Sequence, residues 1–333
     1  MPPTTLKELA ILLNLAPSTV SRALHGHPDI SKATQKRVKA LARQLQYHPS
    51  IMATGLRNRT FKLLAVVVPH LTEFLYIAAL QGILKHASEK NYRILLYESQ
   101  ENVQKEADIC YSLEKSGIDG LLISPAKTTS DSSHIRKLIS EGFPVVFFGR
   151  IVGNISANRV IGDDYSGACT AVNFLIEHGC RKIAHIAAPQ QWLWAQKRQM
   201  GYIQALLDHH IPIDRKLILE YSTPEEIKNI IKKLLSCHID GIFTVDDKSA
   251  AQTLIVLREL NYKIPKDISV CGFGNDPLSQ FTCPALTTIE QNGKLIGQKA
   301  TELLIDQIEN KGNKETKTIL LKNELIFRDS VVH

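Results

Sequence analysis

LAPSTVSRALHG, residues 15–26, is the stretch on which the reading of this chain turns. Pro17 opens a helix, because its missing N–H costs nothing in a first turn. Along it Val20, Ala23 and Leu24 face inward, leaving Thr19, Ser21, Arg22 and His25 outward. Gly26 and Pro28 end the helix. Upstream, Thr5-Leu6-Lys7-Glu8 has the hydroxyl-to-carboxylate spacing of a capping box, and Leu6, Leu9, Ala10 and Leu13 give an apolar face that Asn14 closes. Downstream, Ser31 is placed to cap a third helix with the stripe Ala33, Val38, Leu41, Ala42 and Leu45. Three short helices, the second rich in small polar groups and carrying one arginine, predict a helix-turn-helix head over residues 1–49 whose second helix enters a DNA major groove.

Charge points the same way. The first 60 residues hold nine Lys+Arg (Lys7, Arg22, Lys32, Lys36, Arg37, Lys39, Arg43, Arg57, Arg59) against Glu8 and Asp29, a balance of +7. The whole chain of 333 residues holds 40 against 33, also +7, so the remainder is neutral. A basic module on a neutral body suits a polyanion-binding head joined to a sensing or assembly domain. A solvated charged face would also be basic; the helix pattern is what favours DNA. No apolar run reaches the ~18 residues of a membrane span. The opening MPPTTLKELA lacks the basic-then-apolar order of a signal peptide, so a cytoplasmic protein is expected. The six cysteines form no CxxC pair and read as reduced thiols, with no disulfide framework, metal site or cofactor expected.

Beyond residue 62, short apolar runs alternate with amphipathic helical stretches. Strands are predicted at 63–69, 92–97, 120–124, 145–148, 183–187, 217–220, 241–245 and 268–272. The helix predicted at 225–237 shows the intervening pattern, with Ile227, Ile230, Ile231, Leu234 and Leu235 on one stripe. This alternation predicts parallel sheets covered on both faces by helices, in two similar lobes. Residues 293–310, as a helix, and a strand near 318–326 are expected to return to the first lobe.

Thr19-Val20-Ser21-Arg22, Leu24, Ser31, Arg37-Val38 and Tyr47-His48-Pro49 resemble the head of the LacI/GalR family of bacterial transcriptional regulators. Asp119-Gly120-Leu121-Leu122, Gly142-Phe143-Pro144-Val145-Val146, His178-Gly179-Cys180-Arg181-Lys182-Ile183, Arg198 with Gly201-Tyr202, and Arg328-Asp329-Ser330 extend the resemblance over essentially the whole chain. It implies a small all-α head, a hinge at 50–60, and a periplasmic-binding-protein-like α/β core at 61–333. The core would have an N-lobe at about 61–160 and 291–325, a C-lobe at about 161–290, and a ligand cleft between them.

The resemblance also implies roles. Pro17, Ser18 and Arg22 would face base edges, with Thr5, Thr19, Ser21 and Ser31 near phosphates; the alternative for Arg22 is a phosphate or intramodule contact. His25 stands where the family has Asn, and either meets DNA there or faces solvent. Ala16 replaces a capping Ser, at a cost of ~1 kcal/mol. The hinge would be disordered off DNA and fold into a short helix on it, setting Leu56 into the minor groove with Arg57 on phosphate; a plain linker is the alternative. For a small effector, such as a sugar or sugar derivative, the strand ends offer Tyr76, Arg150 and Asp246, with Arg198 and Asn275 by alignment and Trp194, just upstream of Arg198, as an aromatic face for a sugar ring. Arg198 is alternatively a surface salt bridge, Trp192 and Trp194 core or rim packing, and Asp247 structural. Gly274-Asn275 replaces the paired aspartates of sugar- and purine-responsive relatives, so a simple hexose held in the usual manner is not what this site predicts; Asp276 substitutes in part or caps a turn.

The function expected is a ligand-responsive, sequence-specific transcriptional regulator. It would be a homodimeric repressor of a catabolic, carbohydrate-type operon, reading palindromic double-stranded DNA. Without a leucine-heptad tail after Ser330, a dimer is expected over a tetramer. The alternative is a cytoplasmic small-solute-binding protein without gene control, which leaves the basic head unexplained. An enzyme is not expected: there is no GxSxG, no P-loop and no GxGxxG after the first strand. His209-His210 and Cys237-His238 are adjacent pairs, ill suited to chelating one metal.

Overall fold

Residues 4–47, 60–113, 116–153, 155–310 and 315–332 are described by a computed structural model of the chain. It divides into two units, Met1–Phe61 and Lys62–His333. The hinge candidates Leu56 and Arg57 lie outside the described residues.

In the head, α1 (Leu6–Leu13), α2 (Pro17–Leu24) and α3 (Lys32–Gln44) enclose Leu9, Ala10, Val20, Ala23, Val38 and Ala42. The Thr5 hydroxyl accepts from the Glu8 amide while the Glu8 carboxylate accepts from the Thr5 amide, closing the capping box. Asn14 ends α1 in the left-handed conformation. Ala16 starts α2 without a side-chain cap. Ser31 caps α3 by accepting from the Thr34 amide at 3.2 Å. Ala33, expected in the apolar stripe, is exposed in the first turn of α3.

In the core, β1 (Leu63–Val68), β2 (Arg93–Glu98), β3 (Gly120–Ile123), β4 (Val145–Phe148), β5 (Asn158–Gly162) and β11 (Thr318–Leu321) form one parallel sheet in the order β11-β5-β4-β3-β1-β2. β6 (Ile183–Ala187), β7 (Ile218–Glu220), β8 (Gly241–Thr244) and β9 (Ser269–Cys271) form a second parallel sheet, β7-β6-β8-β9. The central strands are apolar and buried along their length, as strands covered on both faces must be. Helices α4 (Phe74–Glu89), α5 (Val103–Leu113) and α6 (Ser133–Ser140) cover the first sheet, and α7 (Asp164–Glu177), α8 (Leu193–Asp208), α9 (Glu226–Leu235) and α10 (Asp247–Glu259) the second.

The strand expected near 318–326 is two strands. β11 joins the first sheet, and β12 (Glu324–Ile326) pairs antiparallel with β10 (Thr288–Glu290) in the second lobe. The first lobe therefore does not run to 325. Lys322 and Asn323 carry the chain across, and Arg328 and Ser330 are then stitched into the second lobe through Leu286, Thr287 and Val270. In all, the described chain passes between lobes near residues 163, 292 and 322, and these passages are bonded to one another. Asn323 donates to the Asp163 carbonyl and Asn292 to the Lys322 carbonyl, both at 3.1 Å. α11 (Gly293–Glu309) packs back onto α4, and only glycine allows the approach: a Cβ on Gly297 would lie 1.9 Å from the Ala79 carbonyl oxygen.

Candidate functional site: a cleft between lobes and an exposed head helix

Strand ends converge on the space between the lobes. The chain after β1 brings Glu73 and Tyr76, that after β4 Gly149 and Arg150, and that after β7 Tyr221. Asp246 follows β8, and Phe273 follows β9. They enclose a cavity of about 240 Å³.

Arg198, on α8, is buried, so it is not a surface salt bridge. Its Nε and Nη2 donate to one Asp164 oxygen at 2.9 and 2.7 Å, and Nη1 donates to the Val245 carbonyl. The guanidinium lies between the rings of Phe273 (3.7 Å) and Trp194 (4.9 Å). Three of its five N–H groups are thus committed. Burial, working against Arg198, holds the Asp164 carboxyl above the usual range.

Arg150 donates to Glu101 at 2.7 Å and to both oxygens of Glu73 at 3.1 and 3.3 Å. Burial opposes its charge, but Tyr76, Glu73 and Glu101 outweigh that and raise its pKa. Tyr76 is fully buried, accepts from the Ser124 hydroxyl at 3.2 Å, and has its phenol pushed up by burial. Asp246 caps α10 by accepting from the Ser249 amide, and accepts from the Tyr221 hydroxyl, each at 2.7 Å. Asp247 is buried beneath, accepting from Thr288 at 2.5 Å and the Asp276 amide at 2.8 Å, and burial pushes its carboxyl up to about 7.

Trp192 and Trp194 stack with centroids 5.6 Å apart, and neither buried indole N–H has a hydrogen-bond partner among the described residues. Two cations from the first lobe reach them: the Lys127 ammonium lies 4.8 Å from the Trp192 ring and the Arg150 guanidinium 6.0 Å from Trp194.

Tyr76, Arg150, Trp194, Arg198 and Asp246 therefore meet in one cavity. Asn275 does not line it. Its backbone is left-handed (φ 48°), and its side chain donates to Glu290 at 2.6 Å and accepts from Arg328 at 2.7 Å. Sequence reading missed Asp164, Tyr221, Glu73 and Glu101. Tyr221 directly follows a predicted strand and was open to the same rule that found Arg150; the three carboxylates join partners 34 to 77 residues away, a separation that carries no local signal.

On the head, Pro17, Ser18, Arg22 and His25 are exposed along α2, with Ser21 half-buried between them, a spacing that puts them on one side of the helix. Thr19 is half-buried, while Thr5 and Ser31 are exposed at the starts of α1 and α3, where helix N-termini favour anions. The His25 ring donates from Nδ1 to its own Ser21 carbonyl at 2.7 Å.

Comparison with known proteins matches both units. The model of bacterial regulatory proteins of the lacI family covers residues 5–50, and that of the periplasmic binding protein-like domain covers 172–331. The transcriptional repressor CytR of Escherichia coli K12 is 30% identical over 331 residues, 98% of this chain and 96% of the relative. PurR of Pasteurella multocida is 27% identical over 330 residues, 98% of each. Among solved structures, the CelR–cellobiose complex superposes with a TM-score of 0.74 at 26% identity, over 98% of this chain and 99% of that one. The operator-bound lac repressor dimer reaches 0.87 over 99% and 100% at 21% identity, a likeness of fold alone. The chain belongs to the LacI family of bacterial DNA-binding transcriptional regulators.

Proposed function

We propose that this regulator is a cytoplasmic homodimeric repressor that holds a palindromic operator until a small neutral ring compound occupies its cleft. The supporting observation is the exposed row Pro17, Ser18, Arg22 on a short helix of a basic head, in a chain whose core carries a cavity between lobes. CytR and PurR are named as repressors, and the solved lac repressor is an operator-bound dimer.

Charge in the cleft supports a neutral effector. Arg198 is matched by Asp164, and Arg150 by Glu73 and Glu101, so neither guanidinium is held for an anion. The aromatic rings suit the C–H face of a sugar-like ring, and CelR was solved with cellobiose. Asp246 and Tyr221, on the same wall, are engaged with each other.

Selection from a random duplex pool tests the reading. The expected product is a two-fold symmetric site, and Arg22→Ala should weaken binding to it by ~1–3 kcal/mol per half-site while relaxing one base position. Enrichment of sites without symmetry, or unchanged affinity on removing residues 1–60, would overturn it.

A further inference from the structure

The outer face of α8 is apolar where a surface helix is ordinarily polar. Its inner face, Ala195, Arg198, Gly201, Tyr202, Ala205 and Leu206, is buried. Gly201 lets it lie so close to α7 that a Cβ there would sit 2.3 Å from the Tyr165 carbonyl oxygen, so the helix is held firmly from within. On the opposite side Leu193, Met200 and Leu207 are 44%, 52% and 50% exposed. Spaced by seven residues, they share one line along the helix and form a row ~21 Å long. α9, on the same lobe, has the ordinary pattern: Glu226, Lys228, Asn229, Lys232 and Lys233 take its exposed positions.

The row reads the same in both directions. Leu193 and Leu207 stand seven residues either side of Met200, and Gln196 and Gln204 four residues either side. A two-fold contact sets a helix antiparallel to its copy, residue i against j and j against i. Centred on Met200, it lays Leu193 on Leu207 of the copy at both ends and Met200 on its own counterpart. The exposed charges of α8 are Lys197 and Asp208, so none stands at the centre, where it would face itself. Size sets the strength. Stable interfaces take ~20–30 residues a side, and one face of a 16-residue helix supplies far fewer. The contact is therefore weak between free chains and effective once something else brings copies together.

We propose that α8 is a self-association face: two copies of this chain pair their α8 helices antiparallel about Met200, in a contact separate from the one that forms the operator-reading homodimer. One DNA-bound pair is thereby joined to another. On a duplex carrying two operators the pairs reach effective concentrations of ~mM, at which a weak contact closes a loop. The helix pairing stands by itself; only the joining of operators rests on the repressor reading above.

Sedimentation of the full chain from about 5 to about 500 µM tests it: the mass should double, with a midpoint in the upper part of that range. The methyl signal of Met200, one of three methionines in the chain, should move with the same midpoint. Position 200 is half exposed, so substitutions there should fold. Met200→Glu should weaken the step about tenfold or more, and Met200→Lys likewise, because each sets like charge on like. An equimolar mixture of the two should restore it, since position 200 meets itself, and Met200→Leu should keep it. Binding to a single selected operator should stay within about twofold in every variant. A mass constant with concentration, which would leave the row to a different protein, would overturn the proposal. So would a step insensitive to Met200→Glu, a mixture no better than its components, or loss of single-operator binding in Met200→Glu. A chain that pairs through position 200 but selects no duplex keeps the helix pairing and loses the repressor reading.

Discussion

Replacing Asp164 by Asn keeps the shape of the Arg198 site and removes its charge. Arg198 would then be a cation 6% exposed, with the Val245 carbonyl and two aromatic faces as its remaining strong partners. Breaking a buried ion pair by one partner costs ~3–5 kcal/mol. The Phe273 and Trp194 faces, at ~0.5–2 kcal/mol each, already attract the cation and limit the damage, so a net loss of ~2–3 kcal/mol is expected. Removing both charges, as Asp164→Leu with Arg198→Met, should land within about 1 kcal/mol of the parent or above it. The raised Asp164 pKa gives the reason: its desolvation exceeds what Arg198 returns. Urea unfolding followed by tryptophan emission measures both, since the chain's two tryptophans sit in this cleft. A loss under ~0.5 kcal/mol for Asp164→Asn would refute the reasoning, because it would class the pair with solvent-screened surface bridges.

Other predictions follow from separate parts of the fold. Asp247 titrates near 7 in the folded chain against about 4 unfolded. The native state then holds a proton that the unfolded state has lost, so stability should fall as pH rises from about 4 to about 7 and level off above; Asp247→Asn should flatten that slope in denaturant melts at stepped pH. Gly297→Ala should cost about 3 kcal/mol or more in thermal unfolding, because the new Cβ meets backbone and not the yielding end of a side chain. Ser31→Ala should remove ~1 kcal/mol from the head, seen as about fivefold faster amide exchange in the first turn of α3.

The head was legible because its signals are local: Thr5 and Glu8 close a box three residues apart, and Ser31 caps the helix it precedes. The buried strands were legible because parallel strands covered on both faces are unbroken apolar runs. β5 was missed because Asn158 and Arg159 begin it and only Val160 is fully buried. The split at 318–326 was hidden because Lys322 and Asn323 look no different from a turn inside one lobe; what redirects them is the bond from Asn323 to Asp163. In the cleft, strand ends brought out Tyr76, Arg150 and Asp246, but not the carboxylates that neutralise the arginines. Asn275 was misplaced because a left-handed residue turns its side chain toward Arg328, a residue quoted from the sequence with no role attached.

The order of synthesis meets this topology in a particular way. Nascent domains fold from the N-terminus as they emerge, and the head has its entire core by residue 47. Neither lobe does. One waits for α11 and β11 and the other for β12 and the stitches at Arg328 and Ser330, so with 290 residues made neither lobe is complete. A ribosome stalled there would display a finished basic head ahead of two unsealed half-domains. Both lobes then gain their last pieces within some 40 residues of translation, so loss of the final stretch should damage the cleft while sparing the part that carries the charge.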